Sequence, residues 1–286
     1  MTNRSRHAIS WQRVRAIFDN PEPPERVWQR QFDGFDEKLE QLARTPYYEI
    51  DFSDLWYYHL DLAYMELQPD LFAYLFPVSL MDWHESLMEN MPCSHGDAEF
   101  HFGVRHGNVF EKMLTPDQRT AVTEFFRDSF LARLDVETHI FPQNEEKQAA
   151  FTWLRRFNSL GIILPNIDLI WNAWWSLETT GRAIAAIQYL SGFMYHRPWL
   201  WEHDGFHFSY GWLKENVAFI ERTLTVDFVN QQFAQAVARL KDHPQYEQAQ
   251  QAQLDLADWQ ERIEDRVGGL PAALRDPQGD DRYLWF

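Results

Sequence analysis

The chain has 286 residues, of which 45% are hydrophobic and 16% aromatic, so it can bury a substantial core as one large domain or two closely packed ones. Its 43 acidic residues outnumber 26 basic ones, giving a formal net charge of −17. Such a charge repels phosphate groups, which argues against general binding to nucleic acids or anionic membranes. The same charge would attract a basic protein partner.

Cysteine content and apolar runs bear on the location of the protein. Cys93 is the single cysteine, so no disulfide can form within the chain, as is typical of a reducing compartment. Residues 1–15 lack the apolar run of a secretory signal. The most apolar later run, residues 161–164, is far too short to span a bilayer. We therefore expect a soluble, cytoplasmic protein.

Helical patterns dominate the first part of the chain. Amphipathic spacing predicts helices over residues 7–18 and 24–44. Residues 70–89 are predicted to form a long helix, bent at its internal proline, since proline removes a backbone donor. Residues 90–108 are predicted to form a loop, with a short extended piece at 100–104.

The clearest local signal is the run Thr115-Pro116-Asp117-Gln118. Threonine is a good N-cap, proline suits the first helical position, and Gln118 can close a capping box. The sequence therefore predicts a helix from this run through Leu134. A counterpart is predicted to begin at Thr225 and to end near Leu240.

The second half is also predicted to be helical. Periodic apolar residues indicate helices over residues 145–160, 171–195 and 245–267, the last ended by Gly268-Gly269. Residues 283–286 are apolar, so we expect this tail to dock onto the protein.

Landmarks recur between the two halves of the chain. Two pairs lie 115 residues apart and two lie 106 apart: Leu55-Trp56 with Ile170-Trp171, Tyr74-Leu75 with Tyr189-Leu190, Phe100-His101-Phe102 with Phe206-His207-Phe208, and Leu131-Ala132-Arg133-Leu134 with Val237-Ala238-Arg239-Leu240. An offset that holds across landmarks and changes once, by a loop deletion, is typical of a diverged duplication.

These patterns predict a mainly α fold, made of two diverged helical pseudo-repeats packed as one globular unit. Clean strand alternation is nearly absent. Residues 1–50 would form a helical lead-in, 51–140 the first repeat and 141–242 the second. Residues 243–286 would form a C-terminal helix and docking tail.

Histidine spacing suggests one candidate metal site. A duplication could bring His101 and His207 together across a pseudo-twofold axis, with Asp97 or His203 completing the ligands of a transition metal such as zinc. His203 and His207 have the i, i+4 spacing of a zinc-binding pair, but an Asp follows the first histidine and Gly205 does not favour a helix. The alternative is that His101 and His207 are core or interface histidines, each satisfied by a hydrogen bond.

Tryptophans are concentrated in the second half. Trp171, Trp174 and Trp175 share one helix face, which is typical of a core stripe but would also suit an aromatic groove. A second group, which comprises Trp199, Trp201 and Trp212, is a candidate partner-binding set, since tryptophan is enriched at the energetic centre of interfaces.

Two runs in the first half carry a resemblance to a known family: residues 71–77, Leu-Phe-Ala-Tyr-Leu-Phe-Pro, and residues 114–119, Leu-Thr-Pro-Asp-Gln-Arg. Over residues 55–134 the chain resembles an uncharacterised family of helical bacterial proteins with Tyr-Leu-x-Pro and Leu-Thr-Pro-Glu-Gln helix motifs. The second half departs from that pattern, with Gly192 in place of the proline of the first motif. The family is similar to proteins found near toxin–immunity loci, which implies binding and supplies no catalytic residues.

The function expected from the sequence is protein binding. The chain would be an acidic module that neutralises a basic partner, as an immunity or inhibitor protein does, with no cofactor. The alternative is a metal-dependent enzyme with a His/Asp site between the repeats. Neither a Gly-rich phosphate loop nor a Gly-x-Ser-x-Gly motif is present, so the sequence leans away from an enzyme.

Overall fold

The regular secondary structure of the described part of the chain is helical. The computed structural model describes residues 7–89, 95–140, 146–194 and 211–276. Within these ranges there are 14 α-helices and no β-strand, which confirms the mainly α prediction. None of the described helices is long and apolar enough to cross a membrane.

Two compact units divide the chain, residues 1–126 and residues 127–286. Seven helices begin in the first unit: α1 Ala8–Ile17, α2 Asp36–Arg44, α3 Trp56–Tyr64, α4 Pro69–Met88, α5 His95–His106, α6 Val109–Lys112 and α7 Pro116–Asp135. Seven follow in the second unit: α8 Glu146–Ile163, α9 Ile167–Trp175, α10 Thr180–Met194, α11 Lys214–Thr223, α12 Val226–Arg239, α13 Tyr246–Asp258 and α14 Gln260–Arg275. The division falls within α7, and the domain boundaries expected from the sequence stay predictions.

Helix α4 forms the centre of the first unit. Fourteen of its 20 residues are buried, including Pro77 in its interior. Helices α1 and α2 pack against it. Pro69 occupies the start of the helix, where a missing backbone N–H costs little.

Helices α3 and α5 pack unusually closely, because glycines of the α5 segment face the α3 backbone. A β-carbon at Gly103 would overlap the carbonyl oxygen of His59, and one at Gly107 would overlap that of Leu62. Only glycine allows so close an approach of two backbones. This contact fixes the position of α3, whose Tyr64 belongs to the surface described below and whose Asp61 lies beneath that surface.

Indole rings fill the core of the second unit. Every residue from Gly181 to Met194 in α10 is buried. Against it, the Trp174 ring lies edge-on to Tyr189 at a centroid distance of 5.3 Å and to Trp153 at 5.4 Å. Such perpendicular contacts are favourable for aromatic pairs. Trp171 and Trp175 are buried as well, so the tryptophan stripe of α9 lies in the core.

Both threonine caps expected from the sequence are present. The Thr115 hydroxyl accepts a hydrogen bond from the Gln118 N–H at 3.3 Å, while the Gln118 side chain accepts one from the Thr115 N–H at 3.1 Å. This reciprocal pair is the predicted capping box of α7. The Thr225 hydroxyl accepts from the Phe228 N–H at 3.1 Å and caps α12.

Several predicted element boundaries are wrong. The helix expected over residues 24–44 is confined to Asp36–Arg44, since side chains elsewhere in the unit hold the preceding residues in an irregular path. The loop expected over residues 90–108, with its extended piece at 100–104, is also wrong, because His95–His106 form helix α5, which packs on α3 through Gly103.

Two boundaries in the second half differ too. Residues 171–195 do not form one helix, because α9 ends at Trp175 and Leu177 has a positive φ of 50°. Gly268-Gly269 does not end the last helix, since Gly269 and Leu270 are buried inside α14. The predicted docking of residues 283–286 lies outside the described residues.

Candidate protein-binding site

Among the side chains that the structure describes, the largely exposed aromatic ones lie in one stretch of the first unit. Each of these side chains lies between residues 28 and 64. The exposed fractions are 47% for Trp28, 53% for Phe32, 59% for Phe35, 47% for Tyr48 and 47% for Tyr64. Aromatic rings left in water in this way lose the favourable free energy of burial unless something covers them.

The same stretch carries a large share of the negative charge. Between α1 and α4, residues 18–68 contain 12 acidic and 4 basic residues, a net charge of −8 out of −17 for the chain. Acidic groups and aromatic rings therefore occur together in this part of the first unit. We refer to Trp28, Phe32, Phe35 and Tyr64 as the aromatic surface.

One face of α3 supports the aromatic surface. Tyr57, Asp61 and Tyr64 follow each other at i, i+4 and i+7, so they point to the same side of the helix. The Tyr64 ring stacks on Phe32 at a centroid distance of 4.4 Å. The Lys38 ammonium lies over both the Tyr57 ring, at 4.2 Å, and the Phe35 ring, at 5.4 Å.

Tyr64 extends this surface to α5. Its ring centroid lies 5.7 Å from that of Phe102 and 5.4 Å from that of His106. The Phe102 and His106 rings stack on one another at 5.4 Å. The aromatic rings thus form a continuous strip from the irregular segment, across α3, to α5.

A buried carboxylate holds the irregular segment in place. Asp61 is fully buried, and its Oδ1 accepts a hydrogen bond from the Phe32 N–H at 2.8 Å. Its Oδ2 accepts from the Gln29 side-chain amide at 3.2 Å. Burial, together with the charges of Asp33 and Asp36, raises the pKa of Asp61 to about 7 against the lowering effect of the two hydrogen bonds.

Paired glutamines supply a second anchor. Oε1 of Gln68 accepts from the backbone N–H of Trp28 at 2.7 Å and of Gln29 at 3.2 Å, and its amide donates to the Arg26 carbonyl at 2.7 Å. The Gln29 side chain returns the contact by accepting from the Gln68 N–H at 2.9 Å. The backbone that carries Trp28 and Phe32 is therefore fixed at several points before any partner arrives.

A polar cleft of about 440 Å³ lies beside this segment. Residues 24–30 form one wall and α2 contributes to the other, so that the exposed ring of Trp28 is part of the lining. Two ion pairs lie in the cleft, Arg30 with Asp36 and Arg44 with Glu40. The Gln31 N–H and the Arg30 guanidinium lower the pKa of Asp36, so this carboxylate stays charged.

Of the three predicted histidine ligands, His101, His203 and His207, the structure describes only His101. His101 is buried, and its Nε2 accepts a hydrogen bond from the Trp83 indole at 3.2 Å. His203 and His207 lie outside the described residues. Within the described part of the chain no group of three His, Cys, Asp or Glu side chains is placed to hold a metal ion. The metal site stays a prediction.

The predicted partner-binding tryptophans are also only partly described. The Trp212 side chain is 7% exposed and packs against Phe157 at a centroid distance of 5.7 Å, so it offers a partner little surface. Trp199 and Trp201 lie outside the described residues. The role of this set stays a prediction.

Sequence reasoning missed the aromatic surface because Phe32 and Phe35 fit the amphipathic spacing that predicted a helix over residues 24–44, which places them on its apolar face. In the structure both rings are exposed, and no helix forms there. Gly34, with a φ of 79°, together with three prolines between residues 21 and 24, was the available signal for an irregular segment.

Known proteins do not indicate what the aromatic surface contacts. No family model, no curated protein and no solved structure matches this chain. The function of the surface must follow from its own charge and geometry.

Proposed function

We propose that this protein binds a basic protein partner through the aromatic surface of its first unit. The observation that carries the proposal is that all largely exposed aromatic rings of the described residues lie in a stretch with a net charge of −8. Aromatic side chains dominate the binding energy of protein interfaces. Negative charge around them speeds the approach of a positively charged partner and disfavours nucleic acids.

The anchored backbone supports this function. Binding normally costs free energy for ordering loops and side chains at the interface. Here the hydrogen bonds of Asp61 and Gln68 already fix the segment that carries Trp28 and Phe32. Stacking of Phe32 on Tyr64 restricts both rings in the same way. A partner would therefore meet a preformed surface.

An immunity or inhibitor protein is the concrete form of this proposal. The resemblance of residues 55–134 to helical bacterial proteins near toxin–immunity loci supports it. The motifs that carry the resemblance lie in α4 and at the start of α7. A single cysteine, Cys93, suits action in the cytoplasm.

The test has two stages. The intact chain, immobilised, is exposed to lysate of its native host, and basic proteins that elute when salt is raised are purified. Their dissociation constants are then measured for the wild-type chain, for Phe32→Ala with Tyr64→Ala, and for Leu254→Ala. Leu254 is the matched control, since it is 69% exposed but lies on α13 of the second unit.

We expect the double variant to weaken binding about 30-fold or more, the loss of about 2 kcal/mol that defines an interface hot spot. Leu254→Ala should bind like the wild type, and affinity should fall as salt rises. Equal affinity of the double variant and the wild type for every captured basic protein would overturn the proposal.

The helix boundaries support the further proposal that the two units are diverged copies. Trp56 and Ile167, which begin α3 and α9, are 111 residues apart, as are Pro69 and Thr180, which begin α4 and α10. In each unit, a nine-residue helix and a four-residue connection thus precede the buried central helix.

The threonine caps lie at nearly the same spacing. Thr115 and Thr225, which cap α7 and α12, are 110 residues apart. This value lies between the offsets of 115 and 106 that residue identities give. The helix starts therefore keep a nearly constant offset, whereas the identical residues pair first at 115 and then at 106.

A further inference from the structure

Asp61 lies directly beneath the aromatic surface and is fully buried. Its two oxygens face the Phe32 N–H and the Gln29 amide, both of which belong to the segment that displays the exposed rings. The charges that act on it are those of Asp33 and Asp36, which have the same sign. A buried carboxylate in such surroundings is destabilised when it is ionised.

We propose that Asp61 is a proton-controlled anchor that holds the aromatic surface more tightly when its carboxyl group is protonated than when it is ionised. If the anchor also regulates partner binding, that role rests on the proposed function. The effect of protonation on the anchor itself can be measured without a partner. Protonation of Oδ2 gives up its 3.2 Å hydrogen bond from the Gln29 amide but removes the buried charge. Oδ1 still accepts the shorter hydrogen bond from the Phe32 N–H. The ionised form gains from opening, which returns its charge to water.

The direction of the pH effect follows from linkage. The carboxyl group has a pKa of about 7 in the closed segment and of 3.8 once it is exposed to water. Between these values the closed form binds a proton that the open form releases, so closure is strongest at low pH and weakens as pH rises toward 7. Above that value both forms are ionised, and the opening equilibrium no longer changes with pH.

The neighbouring titratable groups are few. Asp33 on the irregular segment and Asp36 on α2 repel the charge of Asp61, and the phenol of Tyr58, next to it on α3, senses that charge. Helix α5 contacts α3 at the backbone of His59 and Leu62. His106 of α5 contacts Tyr64, so it is a second titratable ring at the surface and needs its own control.

Amide hydrogen exchange of the intact protein tests the anchor. Protection of peptides that cover residues 28–35 is followed from about pH 5 to about pH 8, after correction for the pH dependence of the exchange chemistry itself. We expect protection to fall by up to about tenfold per pH unit until pH reaches about 7, and then to level off. Peptides from the centre of α4 serve as the internal reference.

Three variants identify the responsible group. Asp61→Asn should abolish the pH dependence, whereas His106→Gln should leave it unchanged. Asp33→Asn should move the midpoint to lower pH, because it removes a repelling charge while its side-chain oxygen can still accept from the Phe35 N–H. The Asp33 variant also gives an answer if Asp61→Asn does not fold.

Protection that is independent of pH in the wild type, or a slope that persists in Asp61→Asn, would overturn the anchor. If the slope is present but Phe32→Ala with Tyr64→Ala binds the captured basic partner normally, the anchor stands and the proposed function fails.

Discussion

The two units place their aromatic side chains differently. In the second unit the described Trp, Phe and Tyr side chains are buried or half-buried, and indoles such as Trp153 and Trp174 fill the core around α10. In the first unit aromatic rings both fill the core around α4 and lie exposed on α3 and the segment before α2. Two units with similar helix lengths can therefore place their aromatic residues differently, in the core of one and also on the surface of the other. What separates the two uses is an irregular segment that polar side chains hold in place, and whose rings the described residues leave about half exposed.

The largest effect should come from removing a buried indole of the second unit. Trp174→Ala is expected to lower the free energy of unfolding by about 3–5 kcal/mol, since the cavity cannot fully collapse. The loss includes the hydrogen bond from its indole to the Arg182 carbonyl at 3.2 Å. Denaturant unfolding measures it. Trp28→Ala is the matched substitution in the first unit and should change stability by about 0.5 kcal/mol or less. Similar losses for the two would contradict the contrast between core and surface rings.

A smaller effect is expected where α5 meets α3. Gly103→Ala should destabilise the protein by about 1–3 kcal/mol, because the added methyl group forces the two helices apart. Gly268→Ala on α14 is the control: a β-carbon there meets no atom within 4 Å. Its alanine should stabilise the helix by about 0.5–1 kcal/mol. Thermal unfolding should show a lower melting temperature for Gly103→Ala and a higher one for Gly268→Ala. An unchanged melting temperature for Gly103→Ala would show that the close contact is not required for stability.

The smallest effect compares the two caps directly. Thr115→Ala and Thr225→Ala should each cost about 1 kcal/mol, because one N–H of the first helical turn loses its acceptor. Serine at either position keeps the hydroxyl and should restore most of the stability. If the two alanine variants differ in stability by more than the two serine variants do, the caps contribute unequally to the stability of their helices.

The parts that could be predicted are those that depend on neighbouring residues. The start of α7 is determined by a short run of sequence, because Thr115 and Gln118 hydrogen-bond to each other across three positions. Residues 24–35 could not be predicted in this way. Their path depends on Gln68, which lies about forty positions further along the chain, and on Asp61. Helical periodicity there suggested a buried face, but the distant hydrogen bonds determine the backbone.

The candidate site was missed for the same physical reason. Hydrophobic spacing reports which rings could share a face, and it does not report whether any other element covers that face. Phe32 fits a helical stripe in the sequence and yet stacks on Tyr64 with half of its surface in water. The stripe of α9 shows the opposite outcome, because α8 and α10 cover Trp174.

Helix α7 has a consequence for attempts to produce either unit separately. Phe126 packs on Trp83 in the first unit, while four residues later Phe130 packs on Trp153 in the second. Near its end, Asp135 binds the Arg182 guanidinium at 2.8 Å. A fragment that stops at residue 126 would end in mid-helix, and one that includes all of α7 would carry an uncovered Phe130. Expression of half the protein should therefore yield an aggregation-prone product unless Phe130 and Leu134 are replaced by polar residues.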